Sequence, residues 1–167
     1  MNPIRRALVT GISGQDGALL AARLLAAGAA VVGTHRPGSE ATGWRLRELG
    51  VAGDARLRTV ALDPRDGDAS ARIVAEVRPD ALFHCAGQSR VADSFRDPRA
   101  SAEANGASTL HLLEAVRMHA PAAHFVLAAS AEIFGAPSAA PQDESTPLAA
   151  RSPYGLSKLY AHAAVGA

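Results

Sequence analysis

A tyrosine and a lysine stand four residues apart in Tyr154-Gly155-Leu156-Ser157-Lys158, and Lys158 is the only lysine in a chain that carries sixteen arginines. Basic charge is supplied by arginine throughout, so position 158 calls for an amine in particular. Residues four apart share one face of a helix. An ammonium placed beside a phenol stabilises the phenolate, and a phenol so tuned works as a general acid or base. Arginine is planar, forked and bulkier, so it cannot take the same compact position. An isolated YxxxK is more often a surface lysine on a helix, and its meaning depends on what else the fold brings to it.

Ser130-Ala131-Glu132 follows an apolar run, at the place where a strand of an open α/β sheet would end and bind ligands. A hydroxyl there can hold a substrate oxygen near Tyr154, and Glu132 can move a proton on an adjacent carbon. Alone, Ser-x-Glu reads as loop; beside YxxxK it completes an acid–base set of Ser130, Glu132, Tyr154 and Lys158. The second constellation is Gly11-Ile12-Ser13-Gly14-Gln15-Asp16-Gly17. Glycines between a strand and a helix let the backbone turn tightly and approach a pyrophosphate, while the helix N-terminus offers free N–H groups. By itself the pattern is equally a tight turn; its position at the first strand–helix junction favours a dinucleotide site.

About twenty residues on, an NAD site usually shows an acid for the ribose hydroxyls. Here Gly33-Thr34-His35-Arg36 has none, and Arg36 suits a 2′-phosphate, which favours NADP with NAD as the alternative; the plainer reading of Arg36 is a surface arginine. Asp63 could accept from an adenine amine or cap the turn at Pro64. The small residues in His84-Cys85-Ala86-Gly87-Gln88 would let a ribose pass close, with His84 and Cys85 as buried spacers. Six scattered histidines form no ligand cluster, so no metal site is expected.

These groups need a scaffold, and the hydrophobic pattern supplies one. Ile4–Thr10, Ala30–Thr34, Arg56–Leu62, Ala81–His84 and His124–Ala129 read as strands. Helices are expected over Gln15–Ala27, Thr42–Leu49, Asp66–Val77 and Pro98–His119. After a Pro-rich loop over Ala136–Pro147, the Ser152-Pro153 pair opens a last helix. Such alternation predicts an α/β fold: a Rossmann-type, doubly wound parallel sheet of about five strands. At 167 residues, 48% hydrophobic and 20% charged, the chain suits one globular domain. A net charge of +1 and few aromatics argue against nucleic acid. One cysteine fits a reducing compartment, and with no apolar stretch of spanning length the expectation is a cytoplasmic protein without a membrane segment.

Together these motifs resemble the extended short-chain dehydrogenase/reductase family of nucleotide-sugar epimerases and dehydratases. Thr10 through Gly17, Asp63 to Asp66, Gln88-Ser89, and Arg151-Ser152-Pro153-Tyr154 through Tyr160 are similar to the GDP-mannose 4,6-dehydratases in particular. Gln-Asp-Gly in the phosphate loop is the most specific of these signals. The resemblance covers essentially all 167 residues but only the cofactor half of such an enzyme. It implies an NADP-binding Rossmann domain over 1–167, truncated before the substrate-binding domain.

The resemblance also implies roles. Gly11 to Asp16 and Arg36 would hold the NADP phosphates, Asp63 and Pro64 would flank adenine, and Cys85, Ala86, Gly87, Gln88 and Ser89 would line the ribose and nicotinamide path. Tyr154 would take the proton of the sugar 4-hydroxyl, and Lys158 would assist it and bind the nicotinamide ribose. Glu132 would remove the C5 proton and help expel the C6 hydroxyl, giving GDP-4-keto-6-deoxymannose from GDP-mannose with the hydride recycled. Ser130 stands where the family has threonine. Pro37 replaces an arginine, Phe134 a tyrosine, and Cys85-Ala86-Gly87 the usual Leu-Gly-Ala. Another epimerase or reductase of the superfamily, or a non-catalytic NADP-binding homologue, is the alternative. Five strands without a sixth leave an open sheet edge and uncovered apolar surface, which predicts a homo-oligomer, a dimer or higher, or poor solubility.

Overall fold

The structure is a computed structural model that describes residues 3–40, 43–136 and 140–167. Five strands alternate with helices: β1 (Arg6–Thr10), β2 (Ala30–His35), β3 (Leu57–Ala61), β4 (Ala81–His84) and β5 (His124–Leu127). All pair in parallel, in the order β3-β2-β1-β4-β5. The chain therefore winds outward from β1 in one direction, then returns to its other side, and the reversal falls between β1 and β4. There Thr10 is registered with His84, and the crevice beyond such a switch point is where open α/β sheets take ligands.

β1 shows how the sequence builds two cores. Ala7 and Val9 point to one face and pack with Ala18, Ala21, Leu24 and Leu25 of α1 (Gln15–Ala26) and Leu46 of α2 (Gly43–Glu48). Leu8 points to the other face. It packs with Ile73, Val74 and Val77 of α3 (Gly67–Val77), Leu82 of β4, and Leu112, Ala115 and Val116 of the long helix beyond. Both faces of the central strands are dry, so these strands read as continuous apolar runs. Leu8, Leu82 and Leu112 are fully buried, each contributing roughly 1.5–3 kcal/mol on burial. At β5 the pattern stops: Phe125 packs into the second core, but Val126, on the α1 face, is 45% exposed.

The helix ends follow local chemistry. Asp66 accepts from the Ala69 N–H at 2.9 Å and starts α3. Ser152 accepts from the Gly155 N–H at 3.0 Å, with Pro153 in the first turn, and starts α7 (Pro153–Gly166).

Several elements differ from the sequence expectation. The helix expected over Thr42–Leu49 is α2, and Thr42 itself lies outside the described residues, as does part of the Ala136–Pro147 loop. A short helix, α4 (Val91–Arg96), precedes the one expected over Pro98–His119. That long helix is not uniform. It runs as α5 (Pro98–Ser101), a π-helical segment (Ala102–Ala107) and α6 (Ser108–His119). The π segment widens the backbone so that Asn105, buried, turns its amide back to Ser101 O and its carbonyl oxygen toward the Gln88 N–H at 3.1 Å. A 3-10 turn, Ala131–Ile133, follows β5 and packs on α7.

Candidate active site

A cleft of about 600 Å³ opens over the carboxyl ends of β1, β2, β3 and β4. Of the residues singled out for a dinucleotide, Gly11, Ser13, Gly14, Arg36, Asp63, Pro64, Cys85, Ala86, Gly87 and Gln88 line it. The others stand apart. Ile12 is fully buried, with its N–H bonded to Thr34 O at 2.9 Å, so it supports the loop from beneath. Gly17 is buried in the first turn of α1, Gln15 and Asp16 are exposed there, and Ser89 is exposed beyond the cleft wall.

The cleft floor is kept low by missing side chains. Gly11 has φ of 72°, and a Cβ there would lie 2.8 Å from the Ala86 backbone. Gly14 begins α1 without a side-chain cap, so the amides of the first turn lack intrahelical acceptors and are free for an anion. At the far end Arg36 and Ser39 line the cleft beside the Asp63–Arg65 pair. Arg65 Nη2 and Nε donate to Asp63 Oδ2 and Oδ1 at 2.6 and 2.9 Å. That guanidinium, with Arg36 adding to the field, holds the Asp63 carboxyl below its ordinary range. Behind the loop, Arg45 donates to Ser13 O at 3.2 Å while its guanidinium lies 4.5 Å from the centre of the Trp44 ring.

Beneath the cleft lies a buried polar chain that sequence reading did not assemble. Thr10 Oγ1 accepts from the Ala86 N–H at 3.1 Å and sits 2.7 Å from His84 Nδ1. His84 Nε2 is 3.4 Å from Ser108 Oγ, whose own proton goes to Ala104 O at 2.7 Å. This pattern suits a neutral ring protonated on Nε2. Burial, followed by the nearby Lys158 charge, pushes the His84 pKa down to about 3.

Lys158 reaches in from α7. It is 6% exposed, donates to Ala128 O at 2.9 Å, and burial lowers its pKa from the usual lysine value. A Cβ on Gly87 would stand 3.8 Å from its Nζ and 2.4 Å from Asn105 Oδ1. The ammonium thus borders the cleft at its β4 end. Tyr154, one turn earlier on α7, is buried as a residue, and its hydroxyl makes no hydrogen bond to a described residue. Among the described residues the only wholly buried side-chain polar atom without a partner is Ser70 Oγ.

The β5 side completes the set. Ser130 Oγ accepts from the Glu132 N–H at 3.2 Å, and Glu132 Oε2 accepts from Ser152 Oγ at 3.1 Å. The Glu132 carbonyl abuts Gly155, next to Tyr154, where a Cβ would come within 2.8 Å. Ser130 and Glu132 after β5 and Tyr154 and Lys158 on α7 are therefore carried by two segments that pack together through Ser152, Gly155 and Ala128. None of the four is among the residues lining the cleft, and Lys158 comes nearest to it, beside Gly87. Asn105, Thr10 and Ser152 were missed as site residues. Thr10 and Ser152 fall inside the motifs that carry the family resemblance, and Ser152 before a proline also marks a helix start, but neither is singled out there for a role in the site; Asn105 carries no signal. No cluster of groups able to hold a metal is found among the described residues. Nor is any helix among them long and apolar enough to cross a membrane.

Comparison with known proteins is consistent with this geometry. The GDP-mannose 4,6 dehydratase family model matches residues 8–167. A GDP-mannose 4,6-dehydratase of Vibrio cholerae is 36% identical over 163 residues, which is 95% of this chain and 44% of that protein. GDP-mannose 4,6 dehydratase 1 of Arabidopsis thaliana is 38% identical over 170 residues, covering 97% of this chain and 47% of its own. Among solved structures, the UDP-glucose 4-epimerase of Bifidobacterium longum, in complex with NAD+ and UDP, superposes with a TM-score of 0.85 at 29% identity, over 96% of this chain and 48% of that one. The chain spans about half the length of the curated relatives it matches. Its sequence, read along nearly its whole length, belongs to the GDP-mannose 4,6-dehydratase family.

Proposed function

We propose that these 167 residues are the cofactor-binding domain and reaction centre of a nucleotide-sugar 4,6-dehydratase, a lyase that uses NADP and acts on GDP-mannose. The cleft fits a dinucleotide. An uncapped helix N-terminus faces a loop without side chains at Gly11 and Gly14, and the wall at Gly87 carries no Cβ. Arg36 and Ser39 stand at the adenosine end with no free carboxylate at the end of β2, which supports a 2′-phosphate and hence NADP over NAD. When bound, the nicotinamide supplies a hydride acceptor and donor.

The protein's own groups do the rest. Tyr154 takes the proton of the sugar 4-hydroxyl, and the buried Lys158 ammonium borders the path that the nicotinamide ribose would follow. Ser130 lies close enough to Glu132 to hold its backbone in place. Glu132 removes the C5 proton and delivers it to the departing C6 hydroxyl. The observation that carries this reading is Glu132, whose carboxylate accepts from the Ser152 hydroxyl at the start of α7, two residues before Tyr154. A 4-epimerase moves hydride at C4 alone and needs no such base. Similarity to the UDP-glucose 4-epimerase makes 4-epimerisation the second reading.

The test is conversion of GDP-mannose by the protein with NADP+, followed by product analysis. A 4-keto-6-deoxy sugar, abolished by Glu132→Gln while C4 oxidation persists, supports the dehydratase. A C4 epimer, or a Glu132→Gln variant of full activity, refutes it. We also propose a homo-oligomer in the cytoplasm: Val126 on the β5 face and Phe95, Leu156 and Tyr160 on α4 and α7 are exposed at 45%, 63%, 56% and 51%. Light scattering that finds a monomer at micromolar concentration would sink the oligomer.

A further inference from the structure

We infer that Ser152 is a positioning residue that aims the Glu132 carboxylate for the elimination step, beyond its part in starting α7. This rests on the dehydratase reading above. Ser152 is 4% exposed, and its single hydroxyl serves two partners at once. One lone pair accepts the Gly155 N–H at 3.0 Å, which fixes the oxygen at the helix start. The proton is then left to point at Glu132 Oε2, 3.1 Å away. Glu132 is held at two further points, its N–H by Ser130 Oγ at 3.2 Å and its carbonyl by the Gly135 N–H at 3.3 Å. Oε1 accepts nothing from a described residue and remains for chemistry.

The step this serves is a balanced elimination. The C5–H bond breaks, its proton passes to Glu132, and its electron pair forms the C5=C6 bond. The C6–O bond breaks, and the leaving hydroxide takes that proton as water, which returns Glu132 to the carboxylate. A carboxylate free to rotate would lose alignment for both transfers. Oxidation at C4, which uses Tyr154 and Lys158, does not depend on Oε2. Ser152 therefore affects one half of the reaction and spares the other.

Two substitutions separate aiming from capping. Glycine starts a helix nearly as well as serine, whereas alanine does not, and both lack the proton donor. In single turnovers of GDP-mannose with NADP+, the rise of reduced-nicotinamide absorbance reads the C4 step and release of the dehydrated sugar reads the elimination. For both Ser152→Gly and Ser152→Ala, elimination should slow on the order of 10-fold, as loss of a hydrogen bond to a charged group implies. The C4 step should stay within about twofold, so that the oxidised sugar and reduced cofactor accumulate. Ser152→Thr, which keeps the hydroxyl, should restore elimination. A defect in Ser152→Ala alone would make Ser152 only a helix cap, and equal slowing of both steps would make its role merely structural; either overturns the inference. An unmodified protein that oxidises C4 and eliminates, with Ser152→Gly unaffected, overturns the inference and leaves the dehydratase standing. An unmodified protein that never oxidises C4 overturns the dehydratase reading and this inference with it.

Discussion

Acidifying the protein from neutrality should destabilise it through His84. In the folded chain burial and the Lys158 charge hold this histidine near a pKa of about 3, against 6.5 for a free imidazole. Between those values the unfolded chain binds a proton that the folded chain refuses, so stability rises with pH there. The His84 contribution is full above 6.5 and is lost as the pH falls from 6.5 toward about 3. Each pH unit in that window costs about 1.4 kcal/mol, so a fall to about pH 5 removes roughly 2 kcal/mol.

The paired carboxylates do not mask this. Asp63, Asp54 and Asp80 have pKa values lowered from 3.8, and Glu114 from 4.5, so the stability they add is present above those values and fades only as the pH falls below them. Urea unfolding at a series of pH values between about 5 and 7 reads the slope directly. His84→Gln should be less stable at neutral pH, because Thr10 and Ser108 lose a shaped partner, but its stability should be nearly flat over the same range. Parallel slopes in the two proteins would refute the reasoning, since the proton uptake would then belong to another group.

Other perturbations follow from the same geometry. Gly87→Ala forces Asn105 Oδ1 away from a would-be Cβ at 2.4 Å and breaks its bond to the Gln88 N–H; thermal melting should fall by roughly 4–8 °C, as a loss of about 2 kcal/mol implies, and NADP+ titration should show weaker binding. Ser70→Ala removes a buried hydroxyl without a partner and should raise unfolding stability by about 1 kcal/mol in urea; a loss of that size would show that Ser70 has a partner. Lys158→Arg cannot seat its fork where Nζ meets Ala128 O, and turnover should drop on the order of 10²-fold or more. Arg36→Ala should weaken NADP+ far more than NAD+ in competitive binding, and an equal loss for both would remove the 2′-phosphate assignment.

The sheet was legible because its strands are dry on both faces: Ala7-Leu8-Val9 and Ala81-Leu82 feed both cores at once, so each is an unbroken apolar run. The glycine loop and YxxxK were legible because their chemistry is local. Asn105 was not, since a π segment inside a helix has the same apolar spacing as its neighbours and differs only in where one amide turns. The Thr10–His84–Ser108 chain was hidden for another reason: its members lie on a strand, the adjoining strand and a helix, and only the parallel register brings them together. Ser152 shows the limit within a motif. Its place as a helix cap could be read from the proline that follows, but its second bond needed Glu132 to arrive from β5.

The contact behind the phosphate loop has an optical consequence. Trp44 is the chain's only tryptophan, and its ring lies against the same guanidinium that grips the Ser13 carbonyl. A rearrangement of the loop when an anion settles on it moves that cation relative to the indole. Emission from an unlabelled sample then follows occupancy of the loop, with no background from a second indole, and stopped-flow mixing can time nucleotide arrival apart from any turnover.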